Sequence, residues 1–390
     1  MQRKQANHDK ESGLMTAETD YNQFDPHVVC NFPTDSLFAN YKLDAESGDP
    51  NFSKKYKIPL CHKPTRHIAF HIDVIQSVDW LEDGSFMSGS LDGRIGIWDK
   101  SSSPEKVIRP TGVSIYSLSR TSAPSLVVSS HADSENPLNL VDLVKEQVIH
   151  HFKETECHAI MSTDVCRDLL ISGSRTGRSA LYKLDCPEPI VILRKNGSII
   201  ESVCINPNLS QAAIGDNHGI VSLYDIRGGR KNSSVNDFEG CMTRLTCMRW
   251  LSDHELITGG DDFIIRRFDT RKLDGPVGCL LGHSSPISSL NVFGGRVMTV
   301  LSGAVDGSVR IWQSKGSDMQ FKKSSNVKFQ AASPRDQAGH DLQEEHVPRC
   351  ALIGHTQAVK GIAARRGSEG HTEILTCSSD TMINEYSIVL

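Results

Sequence analysis

The sequence of 390 residues lacks any apolar run near the roughly 18 residues that a membrane-spanning helix needs. Its first residues, MQRKQANHDKESG, lack the apolar core of a signal peptide. The 11 cysteines are scattered and contain no C-x-x-C pair. We therefore expect them to be small core residues kept reduced, in a protein of the cytoplasm or nucleus with no membrane partner.

The sequence also lacks an excess of one charge. It has 42 Lys and Arg against 47 Asp and Glu, a net charge of −5, so binding to nucleic acid would need a local basic patch. The short basic clusters at 227–231 and 364–368 have no interleaved aromatic residues, which favours solvated loop tips. These features predict protein partners and no nucleic acid.

Signatures of catalysis are missing as well. There is no Gly-Lys pair for a phosphate loop, no G-x-S-x-G and no H-E-x-x-H. The stretch VIHHFKETECH collects His150, His151, Cys157 and His158, which could suggest zinc. However, adjacent residues of a strand point to opposite faces, so His150 and His151 cannot easily share an ion. We expect no catalytic residue, no metal and no cofactor.

What the sequence does contain is a repeated unit. Four stretches share a Gly/Ser-rich turn, an acidic residue and an aromatic residue six positions later: SGSLDGRIGIWD (88–99), TGGDDFIIRRFD (258–269), SGAVDGSVRIWQ (302–313) and CSSDTMINEYS (377–387). Weaker copies end at Val141, Tyr182 and Tyr224. The closing positions recur every 41 to 44 residues, apart from a last step of 74. A period of about 40–45 residues with internal turn signals is typical of four-stranded propeller blades.

The units carry a second, recognisable pair of signals. Gly-His occurs at 282–283 and 354–355, with a lone His71 in the first unit, and Trp-Asp, Tyr-Asp or Phe-Asp closes several units. The units resemble WD repeats of the β-propeller family, over roughly residues 58–390. The resemblance implies an all-β protein, a single seven-bladed propeller. The strand in TRHIAFH (65–71) would pair with MINEYSIV (382–389), so that N- and C-terminal strands close the ring and remove its free edges.

Two segments fall outside the repeats. Residues 1–57 are polar, and we expect them to be largely disordered; residues 314–348 contain few apolar residues and no clear period. Such a composition cannot bury enough apolar area to offset the entropy lost on ordering the chain.

Limited proteolysis followed by mass spectrometry of the fragments is expected to show cleavage between residues 314 and 348 while the ring stays assembled. The composition of this insertion provides too little apolar area to hold the chain against a protease. Equal protection of the insertion and the blades would contradict the expectation.

The resemblance implies a structural role for the acidic turn residues. In the family pattern this Asp joins the His of Gly-His, a strand Ser or Thr and the Trp in a hydrogen-bond network. Here the network would comprise His283, Ser302, Asp306 and Trp312, with matching positions in other units at His71, Asp92, Trp98, Asp262, Phe268, His355, Asp380 and Tyr386. In the unit 184–224, His218 stands where the Asp would be. We expect Asp261 to be solvated, and no metal site at Asp261 and Asp262.

A sharper hypothesis concerns SLYDIR (222–227) and RRFDTR (266–271), which match WD-x-R with an aromatic residue in place of Trp. They are similar to a box found in WD-repeat substrate receptors of cullin-RING ubiquitin ligases. The resemblance implies that Asp225, Arg227, Asp269 and Arg271 contact a ligase adaptor. The alternative is that each Arg forms only a surface ion pair worth little.

Three functions are therefore open. The main hypothesis is a non-catalytic protein–protein interaction scaffold, a monomer within a hetero-complex that binds peptides or domains on its faces. The second is a substrate receptor of a cullin-RING ligase. The third, of another class, is a propeller subunit of an RNA-modifying or hydrolytic enzyme. Fold alone does not choose among them.

Overall fold

The computed structural model describes residues 60–99, 103–132, 135–153, 159–194, 197–227, 236–294, 298–313, 350–367 and 370–389. The predictions for residues 1–57 and 314–348 lie outside these residues. The described chain forms 29 β-strands and no α-helix. Within these ranges, therefore, no helix is long and apolar enough to span a membrane.

The strands form seven sheets. Two short strands come first in the chain, β1 (Leu60–His62) and β2 (Arg66–Ala69). Blade one then consists of β3 (Ile75–Trp80), β4 (Phe86–Ser90), β5 (Ile95–Trp98) and β6 (Lys106–Ile108). Blade two consists of β7 (Ile115–Arg120), β8 (Leu126–His131), β9 (Leu138–Asp142) and β10 (Gln147–His151). Blade three consists of β11 (Ile160–Cys166), β12 (Leu169–Ser174), β13 (Arg178–Lys183) and β14 (Pro189–Arg194).

The remaining four blades follow the same order. Blade four consists of β15 (Ile200–Ile205), β16 (Gln211–Asp216), β17 (Ile220–Asp225) and β18 (Asn236–Glu239). Blade five consists of β19 (Leu245–Trp250), β20 (Glu255–Gly260), β21 (Ile265–Asp269) and β22 (Gly278–Leu280). Blade six consists of β23 (Ile287–Phe293), β24 (Thr299–Ala304), β25 (Val309–Gln313) and β26 (Cys350–Leu352). Blade seven contains β27 (Val359–Arg366), β28 (His371–Ser378) and β29 (Met382–Val389), with β2 as its fourth strand.

The first strands of the blades surround the centre of the ring. Each packs beside the first strand of the next blade, from β3 through β7, β11, β15, β19 and β23 to β27, and β27 packs back against β3. This unbroken cycle confirms the predicted seven-bladed propeller. The weak units take part fully, since Val141, Tyr182 and Tyr224 lie buried on the third strands β9, β13 and β17.

The predicted closure of the ring by the two ends of the repeat region is confirmed. Strand β2 pairs antiparallel with β29, which places Ile68 opposite Ile383 and Arg66 opposite Glu385. The Nε atom of Arg66 also lies 2.9 Å from the Oε2 atom of Glu385. Strand β1 is a feature that the repeat pattern did not predict. It pairs in parallel with β26 and forms a fifth strand at the outer edge of blade six.

The blades pack through aliphatic residues and glycines. The first residue of every first strand is aliphatic with no exposed surface: Ile75, Ile115, Ile160, Ile200, Leu245, Ile287 and Val359. The second strand of the preceding blade often offers a glycine at the contact. A Cβ atom on Gly173 would lie 2.6 Å from a side-chain atom of Ile200, and one on Gly215 would lie 2.6 Å from Leu245. Hence the Gly/Ser-rich stretches serve close packing between blades as well as turns.

The antiparallel meander also defines two faces of the ring. Turns between the second and third strands lie on one face, which we call the network face because it carries Asp92, Asp262, Asp306 and Asp380. Turns between the first and second strands, and between the third and fourth, lie on the other face, which we call the opposite face. The segments that carry Arg227 and Arg271 follow third strands, so they emerge on the opposite face.

Candidate interaction site

The end of β17 carries a compact turn made by Asp225 and Arg227. The Oδ1 atom of Asp225 accepts hydrogen bonds from the backbone N of Arg227 at 2.9 Å and from its Nε at 3.1 Å. The Oδ2 atom accepts from Nη2 at 2.6 Å. The carboxylate therefore holds the guanidinium in a two-pronged fork, which is the strong geometry for this ion pair.

The end of β21 repeats this arrangement in the next blade. The Oδ1 atom of Asp269 accepts from the backbone N of Arg271 at 3.0 Å and from its Nε at 2.9 Å. The Oδ2 atom accepts from Nη2 at 2.7 Å. We call these two segments, Asp225–Arg227 and Asp269–Arg271, the Asp–Arg turns. They follow the third strands of blades four and five. These two blades are neighbours, since their first strands, β15 and β19, pack side by side.

The electrostatics of the Asp–Arg turns match their geometry. Hydrogen bonds from Arg227 lower the pKa of the Asp225 carboxyl, and those from Arg271 lower the pKa of Asp269. Both guanidiniums remain largely in water, with side-chain exposures of 69% for Arg227 and 65% for Arg271. Each Asp engages two of the five N–H donors of its arginine, so the other donors point away from the fork. An exposed, oriented guanidinium can recognise a carboxylate or carbonyl of a partner.

The hydrogen-bond network of the turns has four members in blade one. The Nδ1 atom of His71 lies 2.9 Å from Asp92, and its Nε2 atom lies 2.9 Å from the Oγ of Ser88. The indole N–H of Trp98 donates to the same Oγ at 2.8 Å. In blade seven His355 bonds Asp380 at 3.0 Å and Thr376 at 2.8 Å, while the hydroxyl of Tyr386 donates elsewhere, to the carbonyl of Ile353. These groups satisfy one another in the interior.

Blade six departs from the predicted network at its acidic residue. His283 bonds Ser302 at 2.6 Å and Trp312 donates to Ser302 at 2.8 Å, as the pattern implies. Asp306, however, accepts from the N and the Oγ of Ser308, at 2.9 and 2.6 Å. The Nδ1 atom of His283 has no hydrogen-bond partner within the described chain. In blade six the turn carboxylate thus bonds a serine two residues away and not the histidine.

Blade five uses a different partner for its turn residue. Asp262 forms an ion pair with Arg266 at 2.6 Å, in which the two side chains are only 11% and 3% exposed. Asp262 also accepts a bond from the backbone N of Met242 at 3.0 Å. Phe268 is buried, but its ring has no donor for the network. Asp261, expected to be solvated, is half-buried, and this burial raises the pKa of its carboxyl.

Two network residues were missed by the sequence reasoning. In blade four Asp216 accepts bonds from the backbone N of His218 and of Ile220, at 3.0 and 2.9 Å, so it stabilises the turn two residues before the expected position. In blade two His131 bonds Ser129 at 2.9 Å and Thr111 at 3.0 Å. Burial lowers the pKa of His131 to about 4. In blade four the sequence does contain an acidic residue beside the turn, but it lies two positions before the one that the repeat pattern specifies.

The centre of the ring holds charged residues of the first strands. Asp79 pairs with Arg120 at 3.1 Å, and Asp164 accepts a bond from the backbone N of Ile205 at 2.7 Å. Enclosure by the ring raises the pKa of both carboxyls, and the positive charge of Arg249 acts in the other direction on both. Each carboxylate therefore links the first strand of its own blade to the first strand of the next blade.

The histidine cluster of blade two also separates in space. His150 packs edge-on against Phe152, with ring centroids 4.7 Å apart, whereas His151 bonds the side chain of Asn139. Cys157 and His158 lie outside the described residues. In the described ranges no group of three or more His, Cys, Asp or Glu side chains is arranged to hold a metal ion. Five of the eight described cysteines outside β1 are buried: Cys204, Cys241, Cys247, Cys350 and Cys377.

Comparison with known protein families agrees with this architecture. The model of the WD domain, G-beta repeat, matches residues 62–99 and 275–313. Both matches contain an outer strand of one blade followed by the first three strands of the next blade. The chain is a seven-bladed β-propeller that contains WD repeats. The WD40 β-propeller domain of Doa1 is similar to this propeller with a TM-score of 0.63 and 15% identity, over 83% of this chain and 95% of that one. This likeness supports the fold alone.

Sequence relatives of this propeller include the WD repeat-containing protein slp1 of Schizosaccharomyces pombe, 28% identical over 29% of this chain and 22% of its own length. A ribosome biogenesis protein WDR12 homolog of Drosophila persimilis is 22% identical over 61% of this chain and 47% of its own length. The chain therefore spans less than half the length of these two curated relatives.

Proposed function

We propose that this WD-repeat propeller is a non-catalytic scaffold subunit of a multiprotein complex, in the cytoplasm or nucleus, and that its Asp–Arg turns dock a partner protein. The observation that carries the proposal is the repetition of one geometry. Two exposed arginines are held in the same fork, on the same face, at the ends of third strands in neighbouring blades. Arginine is enriched at interface hot spots because its planar fork makes two parallel bonds.

The finer form of the proposal makes the partner the adaptor of a cullin-RING ubiquitin ligase. What supports it is the resemblance of SLYDIR and RRFDTR to the adaptor-contacting box, together with the orientation of both arginines by the preceding aspartates. The name of the WDR12 relative favours another kind of complex, one that acts in ribosome biogenesis. Identification of the captured partner decides between the two.

Replacing both Arg227 and Arg271 with alanine is expected to reduce partner binding about 30-fold or more, since loss of an interface anchor costs on the order of 2 kcal/mol. The melting temperature should change little, because exposed substitutions usually alter stability by no more than about 0.5 kcal/mol. The measurement is co-precipitation from native extract with mass spectrometry, followed by titration of the recovered partner.

Lys272→Ala is the matched control. Lys272 is next to Arg271 in the chain, is 75% exposed and pairs only loosely with Asp274, at 3.7 Å. Recovery of the ligase adaptor by the wild type and its loss in the double variant would support the receptor form. If the double variant retains every partner, the Asp–Arg turns are not a docking site. A large fall in melting temperature would assign the arginines to the fold.

A further inference from the structure

A groove opens on the opposite face between blades one and two. Its volume is about 230 Å³, below the roughly 300–1,000 Å³ typical of sites for small molecules and cofactors. Four separate segments line it, besides Ile97 of β5: the turn between β3 and β4, the residues that lead into β6, the turn that follows β7 and the turn that follows β9. A space of this size and shape suits one or two side chains of an extended peptide.

The floor and one wall of the groove are apolar. Leu81, Pro124, Leu143 and Val144 line it, from three different turns. The side chain of Val144 is among the most exposed large apolar groups of the described chain, with 67% of its surface in contact with solvent. An isolated exposed valine is ordinary, but one at the edge of a groove with apolar lining provides an anchor for an apolar side chain.

The rim of the groove is acidic. Glu82, Asp83 and Glu105 line it against a single basic residue, Lys106. Among the described residues, the carboxylates of Glu82 and Glu105 form no hydrogen bond or ion pair, whereas the carboxylate of Asp83 accepts a bond from the backbone N of Ser85 at 2.9 Å. A surplus of carboxylates at the rim attracts a cationic partner and repels an anionic one.

We propose that this groove, which we call the blade-one groove, docks a short peptide segment of a partner protein that carries one bulky apolar residue between lysines or arginines. The apolar side chain enters between Pro124 and Val144, and the flanking cations meet Glu82 and Glu105. This docking surface goes beyond the Asp–Arg turns of the proposed function, since it lies on other blades and selects the opposite charge.

The test uses the whole chain and a fluorescein-labelled synthetic peptide, SKRLRKS, with fluorescence polarisation as the readout. Glu82→Gln combined with Glu105→Gln is expected to weaken binding about tenfold, because two charge pairs are lost at the rim. Val144→Ser is expected to weaken it about threefold, through loss of apolar contact. The peptide SKRGRKS, which lacks the apolar residue, should bind more weakly than SKRLRKS, and added salt should weaken both.

Two control variants complete the design. Asp253→Asn removes an exposed carboxylate from the equivalent turn of blade five, between β19 and β20, and should leave peptide binding unchanged. Arg227→Ala with Arg271→Ala should also leave it unchanged, so failure of the proposed function and failure of this inference can be told apart. Light scattering of each variant reports the oligomeric state.

Absence of saturable binding to the wild type would overturn the proposal, as would equal binding by the wild type and the Glu82→Gln, Glu105→Gln variant. Equal affinity for SKRLRKS and SKRGRKS would show charge attraction without a groove. If the wild type is dimeric and the groove variants are monomeric, the groove contacts a second copy of the chain, and the proposal is wrong.

Discussion

Deletion of residues 58–71 is expected to open the ring and make the protein aggregate. The deletion removes β2, which covers the outer edge of β29 through an antiparallel ladder. It also removes the bond from the backbone N of Thr65 to the carbonyl of Glu385, at 2.7 Å. An uncovered strand edge presents unpaired N–H and C=O groups to other chains, which leads to edge-to-edge association.

The loss extends into the core of two blades. Ile68, which is 1% exposed, contributes about 1.5–3 kcal/mol by burial of its side chain. His71 bonds both the buried hydroxyl of Ser88 and the carboxylate of Asp92, so its removal takes one hydrogen-bond partner from each. A buried polar group left unsatisfied lowers the stability by about 1–3 kcal/mol. We therefore expect destabilisation of more than about 3 kcal/mol in the free energy of unfolding.

Size-exclusion chromatography with light scattering, together with thermal melting, measures the outcome. A deletion of equal length at residues 44–57 is the matched control, because it leaves both β1 and β2 in place. A monomeric 58–71 deletion with the melting curve of the wild type would contradict closure by these strands.

Replacement of Asp262 with alanine is expected to destabilise the ring far more than the same change at Asp306, although both residues occupy the same position in their repeats. The Asp262 carboxylate neutralises Arg266, a buried guanidinium, and removal of one partner of a buried ion pair costs about 3–5 kcal/mol. Within the part of the chain that the structure describes, the Asp306 carboxylate bonds only the nearby Ser308, so its loss should cost about 1 kcal/mol.

Urea denaturation of the two variants provides the comparison. A double variant, Asp262→Ala with Arg266→Met, should recover much of the loss, because it removes the unpaired charge and keeps apolar volume at the site. Equal destabilisation by Asp262→Ala and Asp306→Ala would show that Arg266 does not need its partner. Failure of the double variant to recover would point to the bond from Met242 as the main contribution of Asp262.

The sequence was sufficient for the architecture because its signals are local. Alternation along SVRIWQ, the Asp-Gly turn at 306–307 and the recurring aromatic position each depend on a few adjacent residues. Repetition of the unit then determined the number of blades, and TRHIAFH was correctly assigned as the strand that pairs with MINEYSIV. Strand β1 was missed because three residues that pair in parallel at an edge carry no repeat signal.

The candidate sites could be predicted only in part. The Asp–Arg turns depend on residues two positions apart, so the sequence alone places Asp225, Arg227, Asp269 and Arg271 at matching positions of their units. Their role remains a prediction. The blade-one groove had no signal in the sequence, because its lining comes from four separate segments that only the packing of blades one and two brings together.

The sequence by itself determined the fold class, the blade count and the strands that close the ring, since period, turn chemistry and alternation act over short distances along the chain. Only the tertiary structure decided which partner each buried polar group takes. Asp92 binds a histidine, Asp262 an arginine and Asp306 a serine, although all three occupy equivalent turns. The choice depends on whichever donor the surrounding side chains bring within hydrogen-bonding distance, and the repeat pattern alone does not specify that donor.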